Sequence, residues 1–96
     1  MRNRFLVSYD VSDAKRLRLM YKKMCGFGDP VQYSLFLCRL SAKERILLLE
    51  AVGAIIHHRE DRVIIVDLGP LEGRGDECIE FVGRRLAPPE PGAVVV

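Results

Sequence analysis

The chain has no tryptophan and only three cysteines and two histidines, so it has few residues that could form disulfides or bind a transition metal. Cys25, Cys38 and Cys78 are widely spaced and include no Cys-x-x-Cys pair, which argues against a disulfide framework and a zinc site. They are expected to be buried or half-buried thiols. No apolar run reaches the roughly 18 residues of a membrane span, and the apolar stretch near Met1 is too short for a secretion signal. We therefore expect a cytoplasmic protein with no membrane segment.

The chain also lacks length and a strong net charge. Its 96 residues predict one domain with a thin core, for which association into a dimer is a natural way to bury more surface. The net charge of +2 is too small to indicate a nucleic-acid partner by itself. The distribution of charge along the chain is more informative. Residues 15–23 contain no acidic residue and five basic ones: Lys15, Arg16, Arg18, Lys22 and Lys23. From pattern alone, an ordinary solvated helix face is the simpler interpretation.

The first third of the chain predicts a strand followed by an amphipathic helix. Residues 4–10 alternate between an apolar face and a face that becomes polar towards Asp10. Ser12 or Asp13 can cap the following helix with a side-chain oxygen. Gly26 is a natural stop for this helix. Its apolar residues follow the i, i+3, i+4, i+7 pattern: Leu17, Met20, Tyr21 and Met24.

Residues 31–40 predict either one bent strand or two short strands with a break near Ser34. The apolar face of this segment is expected to lie under the helices and comprises Val31, Tyr33, Leu35 and Leu37. The mixed face of the sheet is expected to stay open, and an open sheet face in so small a domain favours a second copy as its cover. The candidate residues of this dimer face are Ser8, Gln32, Ser34 and Phe36, beside Asp10.

The remaining elements complete an α+β pattern. Residues 41–44, Ser-Ala-Lys-Glu, fit a capping box for a helix to about Ile56 that buries Leu48, Leu49, Val52, Ile55 and Ile56. Residues 61–69 predict a strand that is apolar enough to be central in a sheet, and residues 75–86 a short helix. Residues 1–86 are therefore expected to form one ferredoxin-like domain, an antiparallel sheet with two main helices on one face. Residues 87–96 form a Pro-rich tail whose end can add a strand at an interface.

Two motifs at a characteristic separation give this chain a family resemblance. The first strand ends in Tyr9–Asp13, Tyr-Asp-Val-Ser-Asp, and Val31–Phe36 read Val-Gln-Tyr-Ser-Leu-Phe, with Arg16 between them. These pieces resemble the small CRISPR-associated adaptation protein, the second of the two Cas proteins of spacer-acquiring systems, often described as an endoribonuclease. One departure from the family pattern is Pro30, where many members carry a basic residue.

The resemblance implies a role for Asp10 as the catalytic carboxylate. Two Asp10 side chains from a homodimer would meet near its axis and hold Mg²⁺, or Mn²⁺, together with waters and a phosphate. Nucleic acid, either RNA or spacer DNA, would be held by phosphate contacts from the basic segment defined above. The resemblance also implies a CRISPR integrase as protein partner.

Three interpretations of function stay open at this point. The first is a metal-dependent endonuclease that cleaves RNA, or also DNA. The second is a non-catalytic dimeric scaffold that binds spacer DNA and bridges the integrase, and the third is an interaction module without nucleic acid. From the residues alone, Asp10 could simply be a strand-end carboxylate, Asp13 a helix cap, and His57 and His58 a polar helix terminus.

Overall fold

From β1 to β4, the helices and strands follow the order that the sequence predicts for residues 4–69. The computed structural model describes residues 1–74 and 78–84. Within them lie β1 (Asn3–Asp10), α1 (Ala14–Cys25), β2 (Gly28–Gln32), β3 (Leu35–Leu40), α2 (Ala42–Ile55) and β4 (Arg62–Pro70). The strands form an antiparallel sheet in the order β2-β3-β1-β4. This βαββαβ arrangement confirms the prediction of an α+β ferredoxin-like fold.

Side-chain caps explain where the two helices begin. The Asp13 carboxylate accepts a hydrogen bond of 2.9 Å from the Arg16 amide and caps α1. At α2, the Ser41 hydroxyl accepts from the Glu44 amide at 3.1 Å, while the Glu44 carboxylate accepts from the Ser41 amide at 2.8 Å. The predicted capping box is therefore confirmed.

Both helices pack on one face of the sheet, and the core lies between them and the strands. The buried residues are Phe5, Val7, Tyr9, Met20, Met24, Phe36, Cys38, Leu40, Leu48 and Val52. Burial raises the pKa of the Cys38 thiol to about 12, so this cysteine stays protonated and behaves as a small apolar side chain. Leu49, expected in the core, is 39% exposed, and Cys78, expected to be at least half buried, is exposed.

The structure corrects the prediction that Phe36 lies on the open face. A turn at Tyr33 and Ser34 separates β2 from β3, so this segment forms two short strands rather than one bent strand. Each face of β3 carries at least two apolar residues, so alternation alone did not identify the covered face. The pairing of β3 with β1 determines which face is covered. Phe36 lies opposite Val7, and directly opposite residues share a face. Phe36 is therefore fully buried, with its ring centroid 5.5 Å from that of Tyr21.

The same register leaves an apolar surface on the other side of the sheet. Leu37 and Val66 flank Leu6, and Leu35 and Ile64 flank Ser8. Ile64 is 49% exposed and Val66 is 45% exposed. We call these five apolar residues, Leu6, Leu35, Leu37, Ile64 and Val66, the open-face patch.

Two further predictions were wrong in the described residues. β4 was expected to be central because both of its faces are apolar, but it pairs only with β1 in the described sheet and forms an edge. Residues 79–84 lie in neither helix nor strand, contrary to the expected helix over 75–86. The tail at 87–96, with its predicted interface strand, lies outside the described residues. No helix in the described ranges is long and apolar enough to cross a membrane.

Candidate functional site

Asp10 ends β1 on the open face, directly opposite Arg62 at the start of β4. Because β1 and β4 run antiparallel, the end of one strand meets the beginning of the other, and opposite residues project to the same side. Both side chains are exposed. Together with Ser8, Tyr9 and Ile64 they line a surface cavity of about 130 Å³. The site therefore combines a carboxylate and a guanidinium at one end of the open face.

Neither charged group is paired within the part of the chain that the structure describes. Within residues 1–74 and 78–84, the Asp10 carboxylate and the Arg62 guanidinium have no hydrogen-bond or ion-pair partner, although they are neighbours in the ladder. Charged side chains that hold a structure together are normally paired with one another or with the backbone. This pair is instead available to a cation and to an anion from solution.

The donor set at Asp10 fits magnesium only in part. No group of three His, Cys, Asp or Glu side chains arranged to hold a metal occurs among the described residues. Mg²⁺ usually takes one or two carboxylates and completes its shell with waters and substrate phosphates. One chain offers the Asp10 carboxylate, so a second copy is needed for a second carboxylate.

A buried carboxylate, which the sequence analysis overlooked, lies behind Asp10. Asp61 immediately precedes β4, and its side chain is 0% exposed. It accepts five hydrogen bonds: from the Ser12 amide at 3.0 Å and hydroxyl at 3.2 Å, from Arg16 Nε at 2.8 Å and Nη2 at 3.2 Å, and from the His57 amide at 2.8 Å. The signal was an acidic residue at the start of the strand that runs antiparallel to β1.

The charge state of this cluster is set by its hydrogen bonds. The Arg16 guanidinium, followed by the His57 and Ser12 amides, holds the pKa of the Asp61 carboxyl well below its usual range. The bond to Asp61 in turn raises the pKa of Arg16. Asp61 is therefore ionised at neutral pH, and the fork of Arg16 is occupied by it, with Glu60 3.7 Å away.

The predicted basic segment divides into one residue used by the fold and four that face solvent. The Arg16 side chain is 24% exposed because Asp61 and Ser12 hold it. The other four are exposed on a helix that contains no acidic residue: Lys15, Arg18, Lys22 and Lys23. Since α1 covers the sheet face opposite the one that carries Asp10, these four cations and the Asp10 carboxylate lie on different surfaces.

The other predicted dimer-face residues are scattered. Ser8 lies on the open face in the Asp10 cavity, and Gln32 is exposed at the end of β2 opposite Leu35. Ser34 lies in the turn, where its carbonyl oxygen accepts a 3.1 Å bond from the Tyr9 amide. His57 and His58 follow α2 as exposed residues, and the ring of His58 lies 3.1 Å from the Gly53 carbonyl oxygen.

The sequence matches a known protein family over most of its length. The family model described as CRISPR associated protein Cas2 matches residues 3–71. A CRISPR-associated endoribonuclease Cas2 of Geobacter sulfurreducens is 38% identical over 96 residues, all of both chains. The CRISPR-associated endoribonuclease Cas2 1 of Rhodospirillum rubrum is 36% identical over 92 residues, which cover 96% of this chain and 89% of that one.

Solved structures agree with the observed fold. The crystal structure of Streptococcus pyogenes Cas2 at pH 6.5 aligns with a TM-score of 0.72 and 28% identity, over 83% of this chain and 99% of that one. A hypothetical protein from Thermus thermophilus aligns with a TM-score of 0.75 over 92% of this chain and 99% of that one, and at 23% identity it supports the fold alone. The family model and the two relatives show that the chain belongs to the CRISPR-associated Cas2 family.

Proposed function

We propose that this protein is a metal-dependent endoribonuclease of the CRISPR adaptation module that works as a homodimer through Asp10. The observation that carries the proposal is an exposed Asp10 carboxylate with no partner among the described residues, facing an equally available Arg62. The Geobacter and Rhodospirillum relatives carry the name endoribonuclease, which supports the same class of reaction.

The open-face patch supports the dimer. Its apolar side chains lie on neighbouring strands, and no helix among residues 1–74 and 78–84 covers them. A thin core gains from further apolar burial. A second copy packed there through a two-fold axis presents the same patch in return. Such a contact brings the Asp10 residues of both copies towards one another and supplies the second carboxylate that a single chain lacks.

Each residue of the site has a distinct task in this proposal. Asp10 binds the metal ion through its carboxylate, and Arg62 contacts a phosphate oxygen next to the scissile bond. The metal, Mg²⁺ or Mn²⁺, supplies Lewis acidity and a more acidic bound water. Ser8 lines the same cavity and can donate its hydroxyl hydrogen to a substrate oxygen.

A cleavage assay tests the enzyme proposal. Labelled single-stranded RNA and duplex DNA are incubated with wild type, Asp10→Asn and Asp29→Asn in Mg²⁺, Mn²⁺ or chelator. Asp29 is the matched control, since it is an exposed strand carboxylate with only a loose 3.7 Å ion pair to Arg39. We expect metal-dependent cleavage of RNA whose rate falls more than about 100-fold in Asp10→Asn. Losing a direct metal ligand should lower activity more than losing a residue that only orients a ligand, which costs about 10- to 100-fold. Equal cleavage by wild type and Asp10→Asn would reject the assignment.

A separate observation favours a scaffold role as the second candidate. The exposed cations of α1 lie on the helix layer, away from Asp10, where they can contact a duplex whether or not the site cleaves. In that case the dimer holds spacer DNA and bridges copies of the CRISPR integrase. Replacing Arg18 and Lys22 with Ala should weaken duplex binding and lower its salt dependence, while Asp10→Asn should bind as wild type does. An unchanged salt slope in the Arg18 and Lys22 variant contradicts the scaffold proposal.

A further inference from the structure

The cluster around Asp61 joins three segments that are distant in sequence. Its donors belong to the β1–α1 connection through Ser12, to the first turn of α1 through Arg16, and to the segment after α2 through the His57 amide. All donor–acceptor distances lie between 2.8 and 3.2 Å, and Arg16 offers two nitrogens of its planar fork. A carboxylate with so many donors in fixed directions has little freedom to move.

This cluster is attached directly to both halves of the open-face site. Ser12 follows Asp10 by two residues, and Asp61 immediately precedes Arg62. Asp10 and Arg62 are in turn opposite one another in the β1–β4 ladder. The two bonds from Ser12 to Asp61 therefore close a short ring of covalent and hydrogen bonds around the site.

We propose that Asp61 is a positioning residue for the reaction assigned to Asp10: it fixes the segment that carries Asp10 relative to Arg62. The inference rests on the proposed nuclease function. Catalysis that depends on placing a metal and a phosphate side by side is sensitive to displacements of about 1 Å. Asp61 touches neither substrate nor metal, so its effect passes through Ser12, Arg16 and the backbone of the two strand ends.

A purely stabilising role is the alternative, and the fold contains a matched control for it. Glu44 is also a carboxylate held by an arginine fork and a backbone amide, with Arg2 Nε at 2.9 Å and the Ser41 amide at 2.8 Å. It lies at the start of α2, next to the end of β1 that is distant from Asp10. Losing this carboxylate affects a helix cap without touching the site.

The experiment compares Asp61→Asn, Ser12→Ala and Glu44→Gln with wild type and Asp10→Asn. Cleavage of single-stranded RNA is measured over substrate and Mn²⁺ concentration, at a temperature where melting curves show every variant to be folded. Asn keeps one acceptor oxygen but turns an amide group towards the donors of Arg16 and His57, so the hydrogen bonds from these two donors are lost. Ser12→Ala removes the 3.2 Å bond to Asp61 and the 3.3 Å bond that the hydroxyl accepts from Arg16, but leaves the Arg16–Asp61 ion pair intact. This variant keeps the test available if Asp61→Asn does not fold.

The expected result is a split between kcat and KM. Asp61→Asn should lower kcat about 10- to 100-fold and raise the Mn²⁺ concentration for half activity, with KM for RNA little changed. Ser12→Ala should show a smaller change in the same direction, and Glu44→Gln should lower the melting temperature with kcat unaltered. Amide hydrogen exchange should rise in the segment around Ser12 in Asp61→Asn and stay unchanged there in Glu44→Gln.

Two results overturn the inference and differ in what they leave standing. Wild-type kcat in folded Asp61→Asn, with Asp10→Asn inactive, rejects the positioning role and leaves the nuclease in place. Cleavage that is absent in wild type, or unaffected by Asp10→Asn, rejects the nuclease and the positioning role together.

Discussion

The two faces of the sheet are built from alternate residues of the same strands, yet they have opposite chemistry. The covered face of β1 carries Phe5, Val7 and Tyr9, all at most 5% exposed, while its open face ends in Asp10. The covered face is apolar except at one end, where Asn3 donates a hydrogen bond to Asp67. The open face combines an apolar patch with Asp10 and Arg62, which have no partners among the described residues. The difference indicates that the covered face stabilises the fold and the open face binds other molecules.

The largest effect is expected from Phe36→Ala, which tests the covered face. Phe36 is fully buried against Tyr9 and Tyr21, so its truncation should lower the free energy of unfolding by about 3–5 kcal/mol. Urea denaturation measures the change. Tyr33→Ala is the control, since Tyr33 is an aromatic in the adjoining turn that is 72% exposed. A smaller loss for Phe36→Ala than for Tyr33→Ala would contradict the observed register.

Ile64→Glu tests the open-face patch. Ile64 is 49% exposed in one chain, so the substitution should leave the monomer folded, but it places an unpaired carboxylate in the proposed dimer contact. An unpaired charge buried in a contact costs about 3 kcal/mol or more, which corresponds to roughly 100-fold weaker association. Analytical ultracentrifugation over a range of concentrations measures it. Val82→Glu, at a fully exposed residue outside the sheet, should leave the oligomeric state unchanged. A dimer that survives Ile64→Glu with wild-type affinity would exclude this face as the contact.

Arg62→Ala tests whether the charged end of the open face contacts phosphate. One lost contact to single-stranded RNA should reduce the slope of log K against log salt by about 0.7. Arg39→Ala provides the comparison, since Arg39 lies on the same face two strand positions beyond Leu37 and has only a loose ion pair with Asp29. Titrations by fluorescence anisotropy in chelator separate binding from cleavage. Equal slopes for wild type and Arg62→Ala would place the phosphate elsewhere.

The smallest effect is an acid dependence that distinguishes Asp61 from the open face. Hydrogen bonding lowers the pKa of Asp61 in the folded protein below its unfolded value of about 4. Its contribution to stability is therefore fully present above about pH 4 and is lost as the pH falls towards the folded-state pKa. The difference in unfolding free energy between wild type and Asp61→Asn should shrink on acidification below that pH. A difference that stays constant between pH 7 and pH 3 would show that the carboxylate charge is not what Asp61 contributes.

Much of the fold and part of the site could be predicted from local pattern. The caps at Asp13 and Ser41, the helix spacing around Met20 and the polar end of β1 depend on neighbours within a few residues, and all were visible in the sequence. The residue opposite Asp10 was not visible in the sequence, because Arg62, 52 positions away, becomes its neighbour only through antiparallel pairing. Arg16 was predicted as a phosphate contact because its bond to Asp61, 45 positions away, forms only when β4 pairs with β1.

By itself the sequence determined the order of the elements from β1 to β4, the position of Asp10 at a strand end and the basic character of α1, since each follows from periodicity or composition over short distances. Only the tertiary structure decided which face of β3 is covered, that β4 lies at an edge of the described sheet, and that Asp61 joins three segments behind the site. The physical reason is that a strand with two apolar faces carries no local preference between them. Pairing with β1, together with the helices packed on one side of the sheet, makes that choice.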